Sequence, residues 1–371
     1  MRRLSACLLA ASLVHNPAYA QPAPSPAAPV DLAACYAAQN ARAPFLGLVA
    51  AEGGHTHFLQ TAGQVGNGAP TRATQYRLAS VGKVFTEVAL GRLIDQGRIR
   101  MDAPIGTYLP ELPPAFAAIT VEQLIHHKSG VVGGLRLDPQ SVAIMRSANS
   151  AHDLLPLVVN APLAFPPGSQ TQYSNGGYYL LGAVIEAVTH KTYGEYLQSE
   201  LFTPLGMTRT GMIAGPEAAP SLSLIGPPGA PPPTAPAPMR GFPDLPATPA
   251  GDAVSTADDL LRLGRALIGG QFVTRATLEQ IFPRRGGAWR LGQAGGRPGA
   301  NTWFMALPDR DATLVVLTNY DPPAGELMGE VLTAALNGQP CQPVAAAERP
   351  GPLIIRRPGP PPPGAPPSPH P

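Results

Sequence analysis

The sequence predicts an α+β fold: an antiparallel sheet flanked by helices and packed beside a helical lobe. Two observations predict it. Strand-like segments come as an early pair and again as a late cluster, and a long stretch of helical periodicity separates them. Strands divided in this way pack most simply into one sheet, with the intervening helices as a second lobe. A cleft between two such lobes is a favoured place for a small-molecule site.

The elements follow in order. Arg2 and Arg3 precede the apolar run LSACLLAASLV, and Pro17 breaks it before Ala18-Tyr19-Ala20. A basic start, a short apolar stretch and a small-x-small site describe a cleavable secretory signal over 1–20, with Gln21 as the mature N-terminus and the periplasm as the expected location. Cys7 stands at the start of the apolar region rather than after it, so LSAC is not read as a lipid-attachment box. A Pro/Ala-rich leader is expected over 21–40. FLGLVAAE (45–52) and HFLQTAG (57–63) are two strands turned by Gly53-Gly54. From Ser80, the apolar residues Val81, Val84, Phe85, Val88, Leu93 and Ile94 keep helical spacing up to Gln96-Gly97. Helices are also predicted over 178–190, 192–202 and 256–269. The pattern then reverts to strands at 288–295, 301–308 and 312–319, before a last helix over 325–336.

This layout gives one domain over 41–340. Its sheet lobe comprises 41–79 and 285–340, and its helical lobe 80–284. Proline (47 residues) and glycine (40 residues) gather in the leader, in a loop over 215–250 and in a tail over 341–371, which is expected to be disordered. No internal repeat is visible. Signal cleavage would leave two cysteines, Cys35 and Cys341, which either pair or remain as two buried thiols. One antiparallel sheet would bring both to the same lobe, which favours pairing. The net charge of +2 is small and evenly spread, so neither nucleic acid nor an acidic membrane surface is an expected partner. No segment beyond the signal is long and apolar enough to span a membrane.

The chain contains only three lysines, and one of them, Lys83, stands three residues after Ser80 in RLASVGKVFT. A serine hydroxyl needs a base or a cation to become a nucleophile, and a lysine at i+3 lies on the same helix face. Unpaired N–H groups at the helix start suit a developing oxyanion. The plainer reading is a capping serine followed by a surface lysine. Tyr173-Ser174-Asn175, just before a helix, tips the balance. There a phenol can shuttle a proton, and an amide can hold an acyl carbonyl or orient the lysine. Packing for Tyr173 and helix capping for Asn175 are the alternatives.

Together these residues resemble the serine β-lactamase and penicillin-binding-protein family, particularly its class C β-lactamase and esterase-like branch. TVEQLIHHKSGV (120–131), PLGMTRTGM (204–212) and PAGDAVSTADDLLRLGRAL (249–267) look like further family segments, so the resemblance runs from about Phe45 to about Leu336. It implies a β-lactamase/transpeptidase-like fold and an acyl-enzyme hydrolase. Ser80 would be the nucleophile, Lys83 its activating partner, Tyr173 the general base or acid, and Asn175 a substrate-positioning group. No cofactor and no metal are implied.

The chain departs from the family at its third motif, usually Lys or His, then Thr or Ser, then Gly. The matching stretch reads Gln293-Ala294-Gly295, without the cation or the hydroxyl. Gln293 and Gly295 are expected to line the substrate site, and the N–H of Gly296 to join that of Ser80 as the oxyanion hole. A neutral amide binds a carboxylate less strongly than a cation does. Arg297 reads as a surface residue at a strand end, with a replacement charge as the alternative. His55 and His57 in the first hairpin lack a third ligand nearby and are not read as a metal site. His127 aligns with a family histidine and is expected to be structural. Lys128 reads as a solvated charge, and Asp258 and Asp259 suit a first helical turn.

The leading expectation is an exported serine hydrolase acting on a small-molecule acyl substrate, an ester or amide without a free carboxylate. A second reading assigns cell-wall peptides or antibiotics, as in a D,D-carboxypeptidase, a D-amino-acid peptidase or a weak β-lactamase. A third keeps the fold as a catalytically weak binding protein.

Overall fold

The computed structural model describes residues 31–345, apart from 66–67, 134–136, 215–217, 224–236, 239–244 and 285–287. The expected signal, the first part of the leader, most of the 215–250 loop and the tail beyond residue 345 lie outside the described residues.

Five strands form one antiparallel sheet: β1 (Gly47–Gly53), β2 (Thr56–Ala62), β3 (Leu291–Arg297), β4 (Ala300–Leu307) and β5 (Ala312–Thr318). Their spatial order is β2-β1-β5-β4-β3, so the early hairpin docks on the last strand, as the divided strands predict. The register sets Ala50 opposite Val315 and Phe304 opposite Val315 from the other side. β4 and β5 are buried at every position because both faces of the sheet are covered. Successive side chains serve opposite cores. Trp303, Met305 and Leu307 face one cluster, while Phe304 and Ala306 face the other.

The outer face is covered by α1 (Leu32–Arg42) and by the last helix, Ala324–Leu336. α1 replaces the second half of the expected leader. Asp31 caps it through Ala34 N at 2.9 Å, and Leu32, Cys35, Tyr36 and Gln39 form its buried stripe. Ala33, Ala34, Ala37 and Ala38 fill the exposed face, so the polar contrast that marks an amphipathic helix is weak in the sequence. Cys35 and Cys341 are joined in a disulfide with Cα atoms 5.7 Å apart. Gln39 exchanges two hydrogen bonds with the Val344 backbone, at 3.0 and 2.8 Å. Residues 341–344 therefore belong to the sheet lobe rather than to the tail.

The inner face meets the helical lobe, whose main members are α2 (Lys83–Asp95), α3 (Val121–Ile125), α4 (Pro139–Ser147), α5 (Gly176–Thr189), α6 (Tyr193–Leu197) and α7 (Ala257–Gly269). α2 and α5 are buried over most of their length, and α7 lies directly on β4 and β5. The helix expected from Ser80 opens with a 3-10 turn, Ala79–Gly82, and becomes α-helical only at Lys83. The helix expected over 192–202 ends its α-helical part at Leu197 and closes with a π-helical turn. Glu186 ties this lobe together by accepting from the backbone N–H groups of Ala151, His152 and Tyr193, at 2.7, 3.0 and 2.7 Å.

Replacing both Cys35 and Cys341 by serine is expected to lower the unfolding free energy by about 2–4 kcal/mol, because the bridge restricts the unfolded chain. Urea unfolding under oxidising conditions measures this. Coincident transitions for the native protein and the double variant would show that the bridge contributes nothing to stability.

Candidate active site

The site is built on the turn that carries Ser80. Tyr76-Arg77 pairs with Val254-Ser255 and delivers the chain into that turn, where Ala79 adopts φ 45°. A non-glycine residue in that region is strained, and neighbouring bonds must hold it there. Asp252 N donates to Ala79 O at 2.9 Å, Thr302 Oγ1 to Leu78 O at 2.7 Å, and Gln293 Nε2 to Ser80 O at 2.7 Å. β3 presses directly on the turn. A Cβ at Gly295 would stand 2.3 Å from Leu78 O, and one at Gly251 would stand 2.3 Å from Ala79 O. Glycine at both positions is what lets the sheet and the 248–252 segment close on Ser80.

Three of the four predicted side chains converge on Lys83. Its Nζ lies 3.3 Å from Ser80 Oγ and 2.7 Å from Asn175 Oδ1, and it also bonds Ala250 O. An ammonium has three N–H donors, and here each meets an oxygen. Lys83 is fully buried, which overturns the surface-lysine alternative. Ser80 Oγ and Tyr173 Oη are 2.7 Å apart, and the Tyr173 ring lies 4.9 Å from Lys83 Nζ. Tyr173 is 46% exposed, so its hydroxyl stands between the buried lysine and the open cleft. A hydroxyl flanked by a phenol oxygen and a lysine nitrogen can pass its proton to whichever of the two is in its basic form and so attack a carbonyl. Asn175 sits at the start of α5 but makes no side-chain capping bond. Its amide serves the lysine.

Behind these groups lie His127, expected from its alignment to be structural, and Glu87, which no motif marked. His127 has φ 56° and accepts from Ser174 N through Nδ1 at 3.2 Å, while its ring stacks on Tyr173 with centroids 4.6 Å apart. It thereby fixes the Tyr173 loop. Burial first, then the positive charge of Lys83, holds its pKa down to about 4. Glu87, one turn beyond Lys83, is buried and accepts the Tyr178 hydroxyl at 2.6 Å. Burial raises its pKa to about 7, against the opposing pull of the Tyr178 hydrogen bond and of Lys83.

The cleft is lined by Ser80, Asn175 and Gly296 on its reactive side and by Met145, Tyr179 and Leu245 on its apolar side. Gly296 thus lines the same cleft as Ser80. On β3, the Gln293 amide N–H holds the Ser80 carbonyl, and Gly295 makes room for the turn. One expectation is corrected. Arg297 is not a surface residue. It is 9% exposed, lines the cleft, and donates through Nε to Asp252 Oδ1 at 2.8 Å. Arg77 approaches the other oxygen of Asp252 at 3.9 Å. Lys128 is exposed, and His55 and His57 are exposed on the hairpin. Among the described residues, no three His, Cys, Asp or Glu residues gather as a metal site would need. Asp258 pairs with Arg72 at 2.6 Å, and Asp259 accepts from Arg209 N and the Thr210 hydroxyl, so both are structural.

The sequence model described as "Beta-lactamase" matches residues 32–336, most of the chain. The chain belongs to the beta-lactamase family. Among curated relatives it is 30% identical to penicillin-binding protein 4 of Amycolatopsis lactamdurans over 209 residues, which cover 53% of this chain and 51% of that one. The chain thus spans about half the length of that relative. Two solved structures share the fold. D-amino acid amidase from Ochrobactrum anthropi superposes with a TM-score of 0.68 at 23% identity, covering 83% of this chain and 98% of that one. EstCE1, a hydrolase with promiscuous acyltransferase activity, superposes with a TM-score of 0.64 at 19% identity, covering 83% of this chain and 98% of that one.

Two outcomes follow from this geometry. Gly295→Ala should disrupt the Ser80 turn and destabilise the protein by about 1–3 kcal/mol, the usual cost of overpacking. A thermal midpoint equal to the native one would show that the turn can move aside. The second concerns acid. A histidine whose folded pKa lies below its unfolded value of 6.5 contributes stability above that pH and loses it as the pH falls toward 4. His127→Asn tolerates the same backbone and does not titrate. The native protein should therefore lose up to about 1.4 kcal/mol per pH unit more than the variant in that window, measured by denaturant unfolding.

Proposed function

We propose that this chain is an exported serine hydrolase that works through an acyl-enzyme at Ser80 on a small, uncharged ester or amide. The observation that carries the reading is the single chain of contacts from Ser80 Oγ to Tyr173 Oη, at 2.7 Å, and to the buried Lys83 ammonium, at 3.3 Å. Tyr173, acting as a phenolate with the Lys83 ammonium as its counter-charge, takes the Ser80 proton as Oγ attacks the carbonyl. The N–H groups of Ser80 and Gly296 receive the oxyanion. Tyr173 then returns the proton to the leaving alcohol or amine, and water repeats the sequence to release the acid. Asn175 keeps the lysine aimed at Ser80.

Substrate choice follows from the walls. Met145, Leu245 and Tyr179 offer an apolar pocket for the acyl group. The motif cation is replaced by Gln293, which is committed to Ser80 O, and Arg297 is committed to Asp252. That weighs against cell-wall peptides and β-lactams, whose free carboxylates need an available cation. The Cys35–Cys341 bridge supports export, because structural disulfides persist in oxidising compartments such as the periplasm.

Hydrolysis of p-nitrophenyl acetate, butyrate and octanoate by the native protein and by Ser80→Ala tests the reading. Native turnover should fall at least about a thousandfold in the variant. Short acyl chains should be preferred to octanoate, since the apolar wall is part of a small cleft. Equal rates in the two proteins would remove Ser80 from the mechanism. No native turnover would reject the esterase reading in favour of carboxylate-bearing substrates or a binding role.

A further inference from the structure

We propose that Glu87 is the counter-ion of the Lys83 ammonium, a positioning residue that sets the protonation of the Ser80, Lys83 and Tyr173 group. Its effect on rate rests on the hydrolase reading; its electrostatic link to Lys83 does not.

The three oxygens that Lys83 contacts belong to Ser80, Asn175 and the Ala250 carbonyl, and all are neutral. A buried cation bonded only to neutral groups keeps most of its desolvation cost unless a carboxylate lies close by. Glu87 occupies the i+4 position on the same face of α2 and is itself buried. Its Oε1 accepts from Tyr178, and its Oε2 has no hydrogen-bond partner among the described residues. Tyr178 links the two charges: its ring lies 5.2 Å from Lys83 Nζ, while its hydroxyl holds the carboxylate at 2.6 Å.

The groups around Glu87 leave this pairing to dominate. Tyr178 on α5 stays protonated, its pKa raised well above the usual value by burial and then by Glu87. Tyr193 on α6 is raised likewise, chiefly by burial, and bonds Thr86 at 2.7 Å. His127, against the Tyr178 ring, is neutral above its pKa of about 4. Lys83 is the cation whose charge acts on Glu87. The coupling is reciprocal. Neutralising Lys83 must make Glu87 harder to ionise, and neutralising Glu87 must make the lysine easier to deprotonate.

The test uses the full chain with 13C-labelled glutamate carboxyls, and Glu87→Gln identifies the Glu87 resonance. Its titration midpoint, about 7 in the native protein, should move up by about one unit or more in Lys83→Met. Lys83→Arg, which keeps the charge, should hold the midpoint near the native one. A midpoint that Lys83→Met leaves in place overturns the proposal. A second measurement follows the pH dependence of Ser80 labelling by a fluorophosphonate. In Glu87→Gln the acid limb of that rate should move to lower pH by about half a unit or more, a shift that a purely structural role would not produce. An unmoved limb in a folded Glu87→Gln also overturns it, and this arm stands if Lys83→Met fails to fold. If the native protein neither labels nor turns over ester, the hydrolase reading fails and the carboxyl titration alone decides the pairing.

Discussion

Burying the Lys83 ammonium costs several kcal/mol, and leaving any of its N–H groups without an acceptor would add to that; the lobe around it is shaped by this requirement. The acceptors come from three separate parts of the chain: the Ser80 turn, the start of α5 at Asn175 and the carbonyl of Ala250. None of the three is adjacent to another in sequence, so placing the lysine also fixes how α2, α5 and the 248–252 segment meet. Thr86, one turn further along α2, repeats the device by donating to Pro249 O at 2.7 Å. The same segment then returns to the nucleophile, since Asp252 N caps the strained Ala79 carbonyl at 2.9 Å. Lysine burial and nucleophile strain are therefore supported by one short stretch of backbone.

The opposite wall shows what the altered third motif does instead of carrying a charge. β3 supplies a neutral donor at Gln293 and empty space at Gly295, and both act on the Ser80 turn. A cation at Gln293 would add a second positive charge near Lys83 and a further desolvation cost. The amide avoids that cost and still satisfies the Ser80 carbonyl. Positive charge in the cleft is displaced to Arg297, where Asp252 neutralises it at 2.8 Å. Asp252 itself has φ 70° and is placed by the Gly251 close approach. Hence the position of that carboxylate and the geometry of the nucleophile turn depend on the same two residues.

Much of this was legible in the sequence. The divided strands, the Ser80 and Lys83 spacing and the Tyr173-x-Asn175 loop are local patterns, and local patterns can be read without a structure. α1 was missed because its exposed face is written in alanines rather than charges, and its buried face includes Gln39, so the apolar-polar contrast is weak. The burial of Arg297 and the contacts of Gln293 and Gly295 with the Ser80 turn were not legible, because they depend on which way a strand faces, and that register is set by β4, not by β3 itself. His127 was marked by its place in a family-like segment, but Glu87 carries no motif. A glutamate in an otherwise apolar helix stretch, VFTEVAL, was the one available signal: a charged residue inside a fully buried run needs a partner.

Those two residues also balance each other. Folding raises the pKa of Glu87 from 4.5 to about 7 and lowers that of His127 from 6.5 to about 4. The stability linked to Glu87 is present below 4.5 and is lost as the pH rises through 7. That linked to His127 is present above 6.5 and is lost as the pH falls through 4. Between 4.5 and 6.5 the folded protein holds one proton more than the unfolded chain at the glutamate and one fewer at the histidine. The two slopes oppose, so folding in this range moves a proton between sites with little net uptake. The charge facing Lys83 changes only as Glu87 ionises near 7, above this range, where the histidine no longer offsets the slope.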